Sequence, residues 1–193
     1  MTTVLLTGFE PFGTATSNPS GEIVKQISGD NIVTAILPVA YAGSAKRLLA
    51  LIAEHNPDVV ICLGQAEGRT QITPEKVAIN LDDARLADNE GVLRNDVKIL
   101  EDGSDAYFTT LPINKMVEAI KAKGVPAAVS LSAGAFLCNH VFYVAQNKFV
   151  GTKVRSGFVH VPLMDSQAPE FPGLPTMPLD QMVKAVRAML EVL

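Results

Sequence analysis

The sequence predicts an α/β protein, with a mostly parallel β-sheet covered by helices on both faces. Short apolar runs of strand length alternate along the chain with segments of helical period. The runs are apolar throughout rather than at every second position, as in strands buried on both faces. No Pro/Ser/Gly linker divides the 193 residues, of which 48% are hydrophobic. One well-buried domain over 1–193 is therefore expected.

Each element has its own signal. "TVLLTG" (3–8) reads as a strand and "NPSGEIVKQISG" (18–29) as a short helix, with Asn18 as cap, Pro19 in the first turn and Gly29 as the stop. "NIVTAILPV" (31–39) is a strand, followed by a helix over about 44–55 with Ala45, Leu48, Leu49 and Ile52 on one face. "DVVICLG" (58–64) is the next strand, and "KVAINLD" (76–82) leads into a polar excursion rich in turn residues. A helix over about 113–123 groups Ile113, Met116, Val117 and Ile120 and ends at Gly124. "AAVSLS" (127–132) reads as a strand, 136–149 as a helix and "SGFVHVPL" (156–163) as a strand. A last helix over about 179–192 carries Leu179, Met182, Val183, Val186, Met189 and Leu190 on its face.

Composition excludes several function classes. The net charge of -4 comes from interspersed charges, without a basic tract, which argues against nucleic acid and anionic membrane surfaces as partners. "MTTVLLTGFEPFG" lacks a basic leader and its apolar run breaks at Gly8 and Glu10, so it reads as a strand rather than a signal peptide. Two cysteines, Cys62 inside an apolar strand and Cys138, fit free thiols in a reduced, cytoplasmic protein. There is no phosphate-binding glycine loop and no ligand set at zinc spacing, so no cofactor or metal is expected.

In a sheet of this kind ligands sit at the carboxyl ends of the strands. That edge collects "GFEPFGTATSNP", "GQAEGRTQITPE", "SAGAFLCNH" and the residues around His160. Cys138 falls in the first turn of a helix that follows a strand, where unpaired N–H groups and the helix dipole favour thiolate and could hold an oxyanion. Free cysteine is also among the most buried residue types, so position alone leaves a packed thiol and a nucleophile both open.

A thiol nucleophile needs a base, usually histidine, and the chain has three. His55 ends a helix and reads as solvent-facing. His140 is two residues from Cys138, and residues i and i+2 of a helix do not face each other, so it reads as packed or supporting. His160, inside the apolar run "GFVHVPL", is the best base. The carboxylate stays open among Glu67, Glu75, Asp82 and Asp83, which spacing does not rank. Phe9 and Phe12 in "TGFEPFG" are either packing beneath a loop or the apolar wall of a small-molecule pocket.

These segments, in order, resemble the pyrrolidone-carboxylate peptidase (pyroglutamyl peptidase I) family of cysteine peptidases. The resemblance runs through "VLLTGFEPFG", "GQAEGRTQITPEKVAINLDDARLADNEG", "AYFTTLPI", "GVPAAVSLSAGAFLCNHVFY" and "VRSGFVHVPL", covering about 3–163. It implies a Glu-Cys-His triad: Glu75 in "ITPEKVAIN", Cys138 in "FLCNH" and His160 in "GFVHVP". It also implies a substrate pocket with Phe9, Phe12 and Phe136, lactam-binding backbone at Gln65, and Arg85 at the oxyanion or pocket. The implied fold is a single three-layer α/β/α sandwich with a mostly parallel mixed sheet, phosphorylase/hydrolase-like. The implied activity is hydrolysis after an N-terminal pyroglutamyl residue of peptides, through a thioester, by a homo-oligomer (dimer or tetramer). Three positions depart from the family pattern: Glu67 and Ser156 stand where glycine is usual, and Ala135 lacks the usual hydroxyl beside the helix start, which Ser132 could supply. Two other readings stay open: another cysteine-dependent amidase or acyl transferase on this scaffold, and a non-catalytic small-ligand module.

Overall fold

The computed structural model describes residues 2–193; Met1, the first residue of the N-terminal reading, lies outside them. The first strand, β1 (Val4–Phe9), is buried along its whole length. It is followed by α1 (Pro19–Gln26), β2 (Ile32–Leu37), α2 (Tyr41–His55) and β3 (Val59–Gln65). Two short strands, β4 (Thr73–Pro74) and β5 (Val77–Ile79), precede β6 (Ala106–Phe108), α3 (Ile113–Ala122) and α4 (Leu137–Lys148). The chain closes with β7 (Arg155–Val161), β8 (Leu163–Met164), β9 (Thr176–Met177) and α5 (Leu179–Leu190).

The main sheet has the order β2-β1-β3-β7-β4. Its first four strands are parallel neighbours, and β4 runs antiparallel to β7. Parallel neighbours need crossovers, which α1 and α2 supply between β1, β2 and β3. Strand residues alternate between two apolar clusters. Val59, Ile61 and Leu63 join the side chains of α1, α3 and α5, while Val60 and Cys62 join those of α2 and α4. This is the expected α/β/α sandwich with a mostly parallel mixed sheet.

Three local differences from the sequence reading have physical reasons. The expected strand at 127–132 forms only single parallel bridges, Ile72 with Ala127 and Glu75 with Ser130. Ala128 N–H donates to Ile72 and Ser130 N–H to Pro74, but Pro74 between them has no N–H to return, so a continuous ladder cannot form. The helix expected from 44 starts at Tyr41, whose N–H is capped by Asp88 Oδ2 at 2.9 Å, a partner 47 residues away that no local pattern reveals. The polar excursion ends in β6, which pairs antiparallel with β5. Among the described residues no helix is long and apolar enough to cross a membrane.

Candidate active site

Cys138 is the second residue of α4. The turn that delivers it needs Gly134, whose φ of 73° lies in the left-handed region where side chains are strained. Ser132 Oγ accepts from the Gly134 N–H at 3.2 Å, and Asp83 N–H donates to Ala135 O at 2.8 Å, so the turn is held from both sides. Ser132 therefore does not replace the hydroxyl missing at Ala135: Phe136 caps α4 without a side-chain acceptor. The first N–H groups of α4 are left without that partner, as an anion-binding helix start requires.

Beneath Cys138 lies β3. Gly64 is the register partner of His160 on β7, and a Cβ at Gly64 would lie 2.8 Å from Cys138 Sγ and 2.6 Å from the Phe158 ring. The bare Cα is what lets the thiol settle over the sheet next to the strand position that carries His160. Cys138 and His160 both line one cavity of about 310 Å³ at the carboxyl edge.

The four open carboxylates separate by geometry. Glu75 is fully buried and its Oε1 lies 2.7 Å from His160 Nδ1. Asp82 is equally buried but engages His140 at 2.9 Å and Arg94 at 2.7 Å. Asp83 and Glu67 are exposed, Glu67 on the cavity. Arg69, which the sequence reading did not single out, donates from Nη1 to Glu75 Oε1 at 2.7 Å and to Thr73 Oγ1, and from Nη2 to Ser132 O at 3.0 Å. It ties the carboxylate to the turn before Cys138. A carboxylate buried this deeply calls for a cation, a need that arises only once the fold has buried Glu75.

Burial pushes the Glu75 carboxyl up, but the hydrogen bond and charge of His160, with Ser130 and Arg69, outweigh it and hold it below its ordinary value. Burial lowers the His160 imidazole, with Arg69 adding to this, against the raising effect of Glu75. The combination is a neutral imidazole beside a carboxylate. It assigns the proton to Nδ1, which donates to Glu75, and leaves Nε2 as the acceptor. Burial, then the Glu75 charge, push the Cys138 thiol up to about 12. The thiol form is favoured over the expected thiolate because burial and the Glu75 charge outweigh the lowering effects of Arg69 and of the backbone hydrogen bond at Cys138.

The cavity wall is apolar. Phe9, Phe12 and Phe136 line it, with the Phe12 and Phe136 ring centroids 6.3 Å apart and the Tyr41 ring edge-on to Phe136 at 5.8 Å. Gln65 also lines it, its side chain fixed by Gln167 Nε2 at 3.0 Å. Asn18, the cap of α1, contributes a further polar group. Arg85 does not: it is exposed and lies outside the cavity lining, and Arg69 is the arginine there.

A parallel-sheet fold whose carboxyl edge places in one cavity a thiol and an imidazole held by a carboxylate belongs with the thiol-dependent hydrolases. Comparison with known proteins narrows the class. A sequence profile of the pyroglutamyl peptidase family matches residues 2–193, so the chain belongs to that family of cysteine peptidases. The pyrrolidone-carboxylate peptidase of Bacillus thuringiensis is 43% identical, the match covering 100% of this chain and 93% of that one. The crystal structure of pyroglutamyl peptidase I from Bacillus amyloliquefaciens superposes with a TM-score of 0.94 at 44% identity, covering 97% of this chain and 92% of that one. A mutant pyrrolidone carboxyl peptidase from the hyperthermophile Pyrococcus furiosus gives 0.93 at 36% identity, covering 98% and 97%.

Proposed function

We propose that this chain hydrolyses the amide bond after an N-terminal pyroglutamyl residue of peptides, with Cys138 as nucleophile, His160 as acid and base, and Glu75 as the group that orients His160. The observation that carries the reading is His160, held by Glu75 at 2.7 Å, in the same phenylalanine-walled cavity as Cys138.

The reaction follows from the protonation states. Cys138 Sγ attacks the pyroglutamyl carbonyl carbon while its proton passes to His160 Nε2. The oxyanion forms against the free N–H groups at the start of α4. The imidazolium is stabilised by Glu75 and gives its proton to the leaving amine as the C–N bond breaks. Water, deprotonated by the again neutral His160, then cleaves the thioester and restores the thiol.

Selectivity has a physical basis in the wall. A lactam is neutral, whereas an ordinary N-terminus carries an ammonium that Phe9, Phe12 and Phe136 cannot solvate. Backbone at Gln65 is the proposed partner of the lactam, and a proline ring would leave such groups unpaired at about 1–3 kcal/mol each. Residues 1–193 are read as one catalytic domain, and the family resemblance supports a cytoplasmic homo-oligomer. The test is a panel of pyroglutamyl, prolyl and glutaminyl fluorogenic amides. Hydrolysis confined to the pyroglutamyl amide is expected; equal or better hydrolysis of another acyl group would contradict the reading.

A further inference from the structure

The cavity is apolar at its phenylalanine end and carries charge at its open side. Of the charged groups there, Arg69 is spent: its guanidinium is paired with Glu75 and bonded to Thr73 and Ser132. Glu67 is not. It sits in the turn Ala66–Arg69 at the carboxyl end of β3, closed by the Arg69 N–H on Ala66 O at 3.4 Å and turned by Gly68 at a φ of 79°. Its carboxylate is exposed, lines the cavity and meets only the neutral Gln65 amide at 3.4 Å; among the described residues it enters no ion pair.

We infer that Glu67 sets a charge preference for the residue that follows the pyroglutamyl group, favouring a cationic side chain and disfavouring an acidic one. The inference rests on the proposed function. With the lactam ring against the phenylalanines and its carbonyl at Cys138, the departing chain leaves by the open side, past Glu67. The pyroglutamyl end carries no charge, so the discrimination between charges that an unpaired carboxylate at the rim provides falls on what lies beyond the scissile bond. A single screened charge pair at a cavity mouth changes kcat/KM by about threefold to tenfold.

The measurement is kcat/KM for pyroglutamyl-lysine amide, pyroglutamyl-alanine amide and pyroglutamyl-glutamate amide at low ionic strength. The order Lys over Ala over Glu is expected, with a Lys-to-Glu ratio of about tenfold that shrinks at high salt. Glu67→Gln should bring that ratio within about twofold, and Glu67→Lys should invert it. Because the readout is a ratio on one preparation, the folded fraction of each variant cancels. A flat ratio in the natural protein, or a ratio that survives Glu67→Gln, would overturn this inference and leave the pyroglutamyl activity standing. Failure to cleave all three would overturn both.

Discussion

Two buried carboxylates in this molecule each hold a histidine through Nδ1 and an arginine through Nη1. Glu75 does so with His160 and Arg69, both at 2.7 Å; Asp82 does so with His140 at 2.9 Å and Arg94 at 2.7 Å. Side-chain chemistry alone does not tell the two clusters apart, and only their surroundings do. His160 shares a cavity with the Cys138 thiol, while His140 packs edge-on to Tyr41, with Arg94 stacked over the same ring at 4.5 Å. Asp82 also exchanges backbone hydrogen bonds with Val97, and its neighbour Asp83 bonds the Ala135 carbonyl. The second cluster therefore pins the polar excursion to α4 and to the turn before Cys138. The proposed base is the histidine whose cavity also holds a thiol.

Exchange of each histidine for a residue that cannot move a proton separates the clusters most strongly. His160→Gln should lower kcat/KM on a pyroglutamyl amide by about 10²–10⁴-fold. His140→Gln should leave the rate per folded molecule within about fivefold and cost about 1–3 kcal/mol of stability in denaturant unfolding, because Asp82 loses a buried partner. Equal rate losses in the two variants would dissolve the distinction. A smaller effect tests the seat of the thiol. Gly64→Ala drives a Cβ against Cys138 Sγ and the Phe158 ring, and should cost about tenfold to a hundredfold in kcat/KM. Its thermal unfolding should register about 1–3 kcal/mol of overpacking.

The pH profile is the mildest test. His160 is lowered, so its base form persists to lower pH than an ordinary imidazole's, and the acid limb of kcat/KM should have its midpoint below about 6.5. The thiol at about 12 predicts no break where an ordinary cysteine ionises, near about 8.5. An acid limb above the ordinary imidazole value would contradict the neutral pairing.

Much of this site was legible because the chain is sparing with reactive residues. Three histidines and two cysteines allow elimination, and both Cys138 and His160 were reached that way. Glu75 was not, because its pairing with His160 spans 85 residues and depends on β4 folding antiparallel onto β7. Arg69 was hidden for the same reason, its role existing only once Glu75 is buried. Arg85 came from motif resemblance alone; it is exposed and is not among the residues that line the cavity. The thiolate expectation rested on the helix start, whereas the burial and the Glu75 charge that raise the Cys138 thiol depend on the packed site. In the fold, helical periods and apolar runs located the layers, while Pro74 broke the 127–132 ladder through a pairing that no local pattern shows.

Whether Cys138 performs the chemistry is read from hydrolysis of the pyroglutamyl amide by the natural protein and by Cys138→Ala side by side. Turnover is expected in the first and a loss of at least about 10³-fold in the second, with the fold retained. Turnover in Cys138→Ala within about tenfold of the natural protein would contradict that role for Cys138, since losing a true nucleophile costs far more.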